Sequence, residues 1–400
     1  MNVLVINAGS SSVKYKLFDM RDESPLAEGV VDRIGLKGST ISHQPLNKQG
    51  TKLETDIPDY ETALNQVIIA LTHHEHGVIK DINDIYAIGH RVVHGGEKIS
   101  ASVLIDSEVE EIIRDCFVLA PLHNPPNLMG IQACKKLLPD IKQVAVFDTS
   151  FHLTIPEEAY LYAIPYRLYE EYAIRRYGFH GTSHRYVAGM ASEIIGKPLI
   201  ELKMITCHLG NGCSITAVKN GKSIDTSMGF TPLEGLIMGT RSGDIDPAII
   251  FYLIERVGLS VQDINSMLNR DSGLLGLSGI SRDMRDILKS AKDGNKRAST
   301  TIDCFVYKIR KYIGAYATSM GGLDAIVFTA GIGENSAKIR AMVCERLEFL
   351  GVKIDDKRND KNERNSIIST DDSTVKVLVI STNEELLIAR DTINITEGRL

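Results

Sequence analysis

A short apolar strand, a glycine turn and a second strand follow one another twice in this chain, first near the amino terminus and again halfway along. Residues 3–6 are continuously apolar, which is typical of a strand buried on both faces. Residues 13–18 alternate apolar and polar side chains, the period of a half-buried strand. Residues 204–207 and 215–218 repeat this plan around a glycine turn at 208–214. The repeat predicts two duplicated domains with a cleft between them, and chance similarity of short glycine turns is the alternative.

Helical patterns separate the strands, and this alternation indicates an α/β protein. Residues 326–328 are predicted to form a third strand that leads into a loop at 329–335, and 353–376 an exposed polar excursion. A strand at 377–380 and a helix from Asn383 follow. Further helices are predicted over residues 126–138, 182–195 (capped by Thr182), 247–257 (between Asp246 and Gly258), 295–320 and 335–350.

Composition excludes several classes of protein. Lys and Arg total 45 against 51 Asp and Glu, giving a net charge of −6, so a general nucleic-acid binder is not expected. No apolar run reaches the length of a membrane span, and the first residues lack the basic start of a secretion signal. The six cysteines are scattered without a C-x-x-C pair, as expected of free thiols in a reducing compartment. A cytoplasmic protein without a membrane or nucleic-acid partner is predicted.

The first glycine turn, NAGSSSVK at residues 7–14, suits a polyanion. A tight turn exposes backbone N–H groups, and the hydroxyls of Ser10 and Ser12 and the cation of Lys14 add donors. The turn leads into a strand, and the chain contains neither a complete P-loop motif nor G-x-G-x-x-G. Ordinary turn chemistry explains a single such turn, whereas three glycine turns after buried-type strands favour nucleotide phosphates.

Four other side chains are candidates for a functional site. The planar fork of Arg91 matches a carboxylate or phosphate, and Asp148 ends an apolar strand, where acids of α/β folds commonly face a site. His180 lies in a glycine-bearing loop before a helix, and Arg241 is the only basic residue of the loop-like stretch 225–246. For each residue taken singly, packing or a surface position is the ordinary alternative.

Other histidines are expected to have structural roles. His90 and His94 have the i, i+4 spacing of a zinc pair, but no H-E-x-x-H motif accompanies them. His184 lies one turn after His180 and is expected to cap or pack. Packing and hydrogen bonding are therefore predicted for these three side chains.

Two motifs, VLVINAGSSSVKY at residues 3–15 and HRVVHGGEK at 90–98, closely resemble signatures of the acetate kinase family. PLHNPP, VAVFDTSFH, RRYGFHGTSH, CHLGNG, DTSMGFTPLEGLIMGTRSGDIDP, FTAGIGEN and STNEE also match, in order. The resemblance implies the actin-like (ribonuclease H-like) ATPase superfamily, with two duplicated domains. It also implies a homodimer and reversible transfer between ATP plus acetate and ADP plus acetyl phosphate, with Mg²⁺ or, as a substitute, Mn²⁺.

The resemblance further implies domain bounds. Residues 1–150 would form the N-terminal actin-like domain and residues 151–383 the nucleotide-binding C-terminal domain. A helix over about 384–400 would pack back on the first domain.

The resemblance assigns roles position by position. Asn7 and Glu384 match metal-associated residues, Lys14 an ATP-phosphate contact, and Arg91 the ligand of acetate or acetyl phosphate. Asp148 matches the proton donor or acceptor, and His180 and Arg241 the stabilisers of the transition state. The pocket for the acetate methyl group corresponds to Val93, Leu122, Phe179 and Pro232. The ATP-binding positions correspond to His208, Leu209, Gly210, Asn211, Gly212, Asp283, Met284, Arg285, Gly331, Ile332, Gly333, Glu334 and Asn335.

The role expected for Asp148 differs from the one that the resemblance implies, and Val93 bears on the choice between acetate and propionate. An acetate oxygen is already anionic, so Asp148 is expected to position groups or organise Mg²⁺-bound water rather than act as a strong base. Relatives that prefer propionate tend to have a smaller residue at the place of Val93, which favours acetate here. Met284 stands where some relatives have an aromatic residue. A propionate or butyrate kinase is the near alternative, and an ATP-gated chaperone or filament protein the distant one.

Overall fold

The computed structural model describes residues 1–399, so Leu400, part of the helix predicted over 384–400, lies outside the described residues. The chain divides into two compact units. The first unit comprises Met1–Phe151 and the chain from Asn383 onward, and the second comprises His152–Thr382.

The first unit is built on a mixed sheet with helices on both faces. Its strands are β1 (Asn2–Gly9), β2 (Ser12–Asp19), β3 (Ser24–Asp32), β4 (Thr40–Pro45), β5 (Thr51–Glu54), β6 (Ile85–Val92), β7 (Val103–Leu104) and β8 (Lys142–Phe147). Its helices before the second unit are α1 (Tyr60–Thr72), α2 (Ser107–Asp115) and α3 (Asn124–Leu137).

The second unit adds a second sheet and most of the helices. Its helices are α4 (Glu157–Tyr160), α5 (Arg167–Tyr172), α6 (Gly181–Ile195), α7 (Ala248–Tyr252), α8 (Val261–Ser266), α9 (Gly273–Ser278), α10 (Met284–Lys292), α11 (Lys296–Met320), α12 (Ala330–Asn335), α13 (Ala337–Cys344) and α14 (Asp356–Lys361). Its strands are β9 (Lys203–Leu209), β10 (Cys213–Lys219), β11 (Lys222–Thr226), β12 (Ala325–Thr329), β13 (Ser366–Ile367) and β14 (Lys376–Val379). The chain then returns to the first unit as α15 (Glu384–Thr396).

Short 3₁₀ and π segments occur between these elements. The 3₁₀ turns are Ile82–Asp84, Ser150–Thr154, Leu199–Glu201 and Glu348–Leu350, and the π turns are Leu253–Val257 and Met267–Asp271.

The two sheets share a core with the same strand order and directions. In the first, the order is β3-β2-β1-β6-β8, with antiparallel pairing from β3 to β1 and parallel pairing from β1 to β8. In the second, β11-β10-β9-β12-β14 follows the same rule. The duplication predicted from the repeated strand and turn pattern is therefore confirmed.

Helices cover both faces of the first sheet. Leu4 and Ile6 of β1 belong to the core that packs under α1 and α3. On the opposite face, Gly89 of β6 lets α15 approach closely: a Cβ at Gly89 would lie 2.4 Å from Thr392 Oγ1 and 2.7 Å from Ile388 Cγ2. Glycine is therefore required at this crossing, and α15 is seated directly on the sheet.

Several helix predictions need correction. The loop predicted at 329–335 is largely the helix Ala330–Asn335. The continuous helix predicted over 335–350 is interrupted, because Arg346 adopts a φ of +69°, which a helix cannot accommodate. The N-cap of α6 is His180 in a left-handed conformation, not Thr182, which lies within the helix.

Two further boundaries also differ. The polar stretch 353–376 contains α14 and β13, and it is not wholly exposed, because Asn359 is buried beside Arg340. The helix predicted over 247–257 begins at Ala248, whose N–H donates to Asp246 Oδ1 at 2.9 Å, and continues as a π turn before Gly258.

None of the helices within residues 1–399 combines the length and apolar character needed to cross a membrane.

Candidate active site

Three strand ends of the first unit bring polar side chains together. The strands β1, β6 and β8 run parallel, so their carboxyl ends lie at one edge of the sheet. Ile6 pairs with His90, and Arg91 with Val146, which places Asn7 and Arg91 beside each other near the end of β8. Asp148 follows β8 directly. This edge is where α/β folds commonly place a ligand site.

Arg91 is the centre of this cluster. Its guanidinium forms two hydrogen bonds with the buried carboxylate of Asp148, including Nε to Oδ1 at 3.2 Å. Its Nη1 donates to Asn7 Oδ1 at 3.4 Å, and its Nε lies 3.9 Å from Glu384 Oε2, at the first residue of α15. Three residues that are distant from one another in sequence therefore meet around the guanidinium of Arg91.

Burial and the attraction between Arg91 and its carboxylate neighbours dominate the electrostatics of this cluster. Burial opposes the charge of Arg91, but Asp148 and Glu384 outweigh it and hold the pKa of Arg91 above its ordinary value. Burial raises the pKa of Glu384 to about 7; Arg91 opposes this shift, and Asp148 and Glu385 add to it. Three carboxylates share one guanidinium here, so a further cation would be stabilised.

Two buried asparagines of α3 hold the chain that follows Arg91. Asn127 Oδ1 accepts from the N–H of Val93 at 3.1 Å, and its Nδ2 donates to the carbonyl of Ala8 at 2.7 Å. Asn124 bonds both the N–H and the carbonyl of His94, at 3.0 and 2.8 Å. Neither asparagine was assigned a role from the sequence, although two asparagines next to the apolar first half of this helix were a usable signal.

The predicted phosphate turn lies beside the Arg91 cluster. Ser10 is exposed in the turn and Ser12 begins β2, two residues before the exposed Lys14. Lys14 and Asn7 line a cavity of about 460 Å³ together with Glu385. Glu385, which the sequence analysis also left without a role, therefore borders the same space as two predicted site residues.

In the second unit, His180 and Arg241 converge on Gly212. A Cβ at Gly212 would lie 2.8 Å from Arg241 Nη2 and 3.2 Å from His180 Cε1. The His180 ring stacks on the ring of His208, with centroids 4.2 Å apart. The predicted transition-state pair thus meets the predicted nucleotide turn within this unit.

Arg241 lies in a long stretch without helix or strand, from the end of β11 to the start of α7. Its Nη1 donates to the carbonyl of Pro232 at 2.7 Å, and burial lowers its pKa. Arg176 braces this stretch: it pairs with Glu234 at 2.6 Å and donates to the carbonyl of Thr226 at 2.9 Å. Arg176 and Glu234 were missed by the sequence analysis.

The three predicted nucleotide-binding stretches differ in secondary structure and in exposure. Asn211 is exposed in the β9–β10 turn, and Leu209 is buried at the end of β9. Asp283 is the N-cap of α10 and pairs with the exposed Arg285, while Met284 is buried. Gly331, Ile332, Gly333, Glu334 and Asn335 form α12.

The carboxylate of Glu334 fastens α12 to the chain leading to Asn383. It accepts from the N–H of Ala330 at 3.0 Å, from Ser381 Oγ at 2.8 Å and from the N–H of Thr382 at 3.3 Å. Its contacts are those of a structural brace.

The predicted methyl-pocket residues differ in exposure. Val93 and Phe179 are buried, Pro232 is partly exposed, and Leu122 is 66% exposed. Val93 and Leu122 belong to the first unit and Phe179 and Pro232 to the second.

A metal site made only of protein side chains is not found within residues 1–399, since no group of three or more His, Cys, Asp or Glu is arranged to hold an ion. The oxygen atoms of Asn7, Asp148 and Glu384 nevertheless form a hard donor set around a cluster rich in carboxylates. Mg²⁺ is usually bound by one or two carboxylates together with water and substrate phosphates. The residues present therefore fit Mg²⁺ held jointly with a substrate.

Duplicated α/β units with this strand order are those of the actin-like ATPase fold. The family model described as "Acetokinase family" matches residues 2–390. An acetate kinase of Clostridium novyi is 57% identical over 99% of both chains. A crystal structure of Porphyromonas gingivalis acetate kinase superposes on the chain with a TM-score of 0.95, at 48% identity and covering 99% of both chains. A crystal structure of a Francisella tularensis propionate kinase superposes with a TM-score of 0.90, at 44% identity, covering 98% of this chain and 99% of that one. The chain belongs to the acetokinase family and is a phosphotransferase.

A substitution at Gly212 tests whether His180 and Arg241 meet at this position. Gly212→Ala would place a methyl group where Arg241 and His180 meet, and a displacement of about 1 Å at such a site lowers activity about 10²-fold. We expect that loss in steady-state phosphotransferase activity, with an unchanged urea unfolding midpoint, because the ends of flexible side chains give way.

Gly189→Ala is the matched control, because nothing lies within 4 Å of a Cβ at this position in α6. It should keep full activity and gain about 0.5–1 kcal/mol of stability. Equal activity in the two variants would contradict the described convergence.

Proposed function

We propose that this protein transfers the γ-phosphoryl group of ATP to acetate, reversibly, giving acetyl phosphate and ADP. The observation that carries the proposal is the guanidinium of Arg91, held by Asp148 and Asn7 at the strand ends of a chain that matches acetate kinases over nearly its full length. Such a held guanidinium suits a carboxylate or a phosphoryl oxygen.

The chemical obstacle is electrostatic. Phosphoryl transfer needs alignment and charge neutralisation rather than covalent work by the protein. An acetate oxygen attacks the γ-phosphorus, the bond from phosphorus to the β,γ-bridging oxygen breaks, and ADP leaves with those electrons. Both reactants are anions, so Arg91 would offset the charge of acetate while His180 and Arg241 would offset that of the phosphoryl group.

Asp148 is assigned the role of positioning the guanidinium of Arg91. Both of its carboxylate oxygens are engaged by Arg91, and the nucleophile carries no proton to be removed. Asp148 therefore orients Arg91 toward the acetate carboxylate.

Mg²⁺ fits the same edge of the first unit. Asn7 and Glu384 would hold it, with Asp148 nearby, and bound Mg²⁺ supplies charge neutralisation to the phosphate oxygens. Lys14 and the hydroxyls of Ser10 and Ser12 would contact the ATP phosphates. Mn²⁺, which also accepts oxygen ligands, is proposed as a substitute.

ATP binding is assigned to the second unit, at three stretches: His208 to Gly212, Asp283 to Arg285 and Gly331 to Asn335. Among these positions Asn211, Arg285, Gly331 and Asn335 are exposed, and Gly210, Gly212, Asp283 and Ile332 are partly exposed. The cleft predicted between the two units stays a prediction. A cytoplasmic location is also proposed, and free thiols at all six cysteines support it.

Removing either arginine tests the proposal. Arg91→Ala and Arg241→Ala should each lower kcat by about 10²–10³, as loss of a preorganised donor typically does. Acetyl phosphate trapped as its hydroxamate measures this, and circular dichroism checks the fold. Arg114→Ala and Arg270→Ala, at exposed positions, are the matched controls. ATP hydrolysis independent of acetate would instead favour the chaperone-like alternative, and near-normal hydroxamate from Arg91→Ala would contradict the assigned role.

Selectivity for the chain length of the substrate acid is assigned to the buried side chain of Val93. One methylene in an apolar pocket is worth about 1–3 kcal/mol, or 10–200-fold in kcat/KM. Val93→Ala should therefore raise the ratio of propionate to acetate kcat/KM by about tenfold or more. Val118→Ala, at a side chain 84% exposed, is the control. An unchanged ratio in Val93→Ala would remove Val93 from the pocket and reopen the propionate kinase alternative.

A homodimer is also proposed, and the surface of α7 and the following π turn supports it. Ile249, Phe251, Tyr252 and Val257 are each 44–62% exposed along this short stretch. Contiguous exposed apolar surface of this kind marks protein interaction sites.

Light scattering should give twice the chain mass of 44.1 kDa for the wild type. Phe251→Asp should give monomers at micromolar concentration. Phe349→Asp, at a side chain 80% exposed outside this stretch, should stay dimeric. A dimeric Phe251→Asp would contradict this interface.

A further inference from the structure

A chain of buried hydroxyls and imidazoles ends at His180. On the second sheet, Thr206 of β9 and Ser214 of β10 are both fully buried. His184 of α6, also fully buried, lies between them, with Nδ1 2.7 Å from Thr206 Oγ1 and Nε2 2.7 Å from Ser214 Oγ. Ser214 Oγ in turn lies 2.9 Å from His180 Nδ1. The chain therefore runs Thr206, His184, Ser214, His180.

The number of protons restricts how these bonds can be formed. The Ser214 hydroxyl has one proton and contacts two ring nitrogens, so it donates to one and accepts from the other. Burial keeps His184 neutral, since it lowers the pKa of that ring well below its ordinary value, and His152 and His208 add to the effect. A neutral ring carries a single N–H. Only two arrangements of the chain satisfy these conditions.

The Thr206 hydroxyl selects between the two arrangements. Among the described residues, its side-chain hydrogen bond is the one to His184 Nδ1. If Nδ1 carried the proton, the Thr206 hydroxyl would have to accept, and its own buried proton would be left without an acceptor, which is unfavourable in a protein interior. Thr206 therefore donates to Nδ1, His184 Nε2–H donates to Ser214, and Ser214 donates to His180 Nδ1.

From this chain we infer that Thr206, His184 and Ser214 are positioning residues that keep the proton of the neutral His180 ring on Nε2. The inference deepens the proposed function and rests on it, because Nε2 lies on the reacting side of the ring. The position that a Cβ would occupy at Gly212 is 3.3 Å from His180 Nε2 and 2.8 Å from Arg241 Nη2. A donor at Nε2 can hydrogen-bond a phosphoryl oxygen beside the Arg241 guanidinium without transferring its proton.

The backbone of His180 is unusual, and its ring is held by two separate contacts. His180 has φ +56° and ψ +24°, a left-handed conformation unusual for a residue with a side chain. Stacking on His208 fixes the plane of the ring but not which edge faces the site. The Ser214 bond distinguishes the edges, because a half-turn of the ring would replace Nδ1 with carbon.

Tautomers can be measured directly on the whole protein. Selective ¹⁵N labelling of histidine and long-range ¹H–¹⁵N correlation spectra report which ring nitrogen carries the proton, and His180→Gln assigns the His180 signals. In the wild type without substrates we expect a protonated Nε2 and an unprotonated Nδ1. Thr206→Val, which keeps the shape but removes the hydroxyl, and Ser214→Ala should both give mixed tautomers at His180.

Kinetics separate positioning from packing. Thr206→Val and Ser214→Ala should lower kcat at least tenfold while the KM values for ATP and acetate change less than threefold, the signature of an interaction made in the transition state. Thr206→Ser keeps the hydroxyl and loses the methyl group, so it should restore the wild-type tautomer and most of kcat. If only packing mattered, Thr206→Val would be the milder change.

Ser223→Ala is the matched control. It removes a buried serine hydroxyl that lies 2.9 Å from the Nδ1 of another histidine, His152, in the same unit. It should leave the His180 tautomer unchanged, and urea unfolding should show a stability loss comparable to that of Ser214→Ala.

The outcomes separate this inference from the proposed function. A wild-type His180 protonated on Nδ1, or unchanged His180 spectra in Thr206→Val and Ser214→Ala, would overturn the inferred chain whatever the activity. The expected spectra with no acetyl phosphate formed by the wild type would support the chain and overturn the proposed function.

Discussion

A largely buried guanidinium needs acceptor partners, and Arg91 obtains two carboxylates and one neutral amide oxygen from three separate parts of the chain. Asp148 comes from the end of β8, Asn7 from β1 and Glu384 from the start of α15. Removing one partner of a buried charge pair is far more costly than removing an exposed one. The return of the chain to the first unit as α15, and its close seating on Gly89, thus contribute directly to the charge arrangement at the sheet edge.

The second unit also holds an arginine in place, but it does so without regular secondary structure. Arg241 is held in a long segment without helix or strand, and the brace between Arg176 and Glu234 substitutes for the ladder bonds that a strand would provide. His180 takes a left-handed backbone conformation, and its ring is held by the buried Ser214 hydroxyl and by stacking on His208. Functional sites commonly store such strain where the surroundings determine it. The same duplicated sheet therefore carries a rigid strand-end site in one unit and a loop-borne site in the other.

The sequence was informative where local pattern and tertiary structure agree. The continuous apolar runs predicted β1, β9 and β12, and the position of Asp148 after an apolar strand placed it at the sheet edge. The predictions at residues 329–335 and at Thr182 were wrong for tertiary reasons. The Glu334 carboxylate joins the glycine-rich helix α12 to Ser381, and the left-handed His180 caps α6, which therefore begins at Gly181. Thr206 and Ser214 carried a weak signal, as hydroxyls in strands that are otherwise largely apolar, but sequence spacing could not show that they share one histidine.

The central proposal is that Arg91 binds acetate while His180 and Arg241 neutralise the phosphoryl group that acetate receives. A crystal structure of the protein with Mg²⁺, ADP, acetate and aluminium fluoride, which mimics that group, tests it most directly. The account predicts hydrogen bonds from both guanidinium groups and from His180 Nε2 to acetate or fluoride atoms around one aluminium centre. An analogue bound with either arginine turned away from it, or facing bulk solvent, would contradict the account.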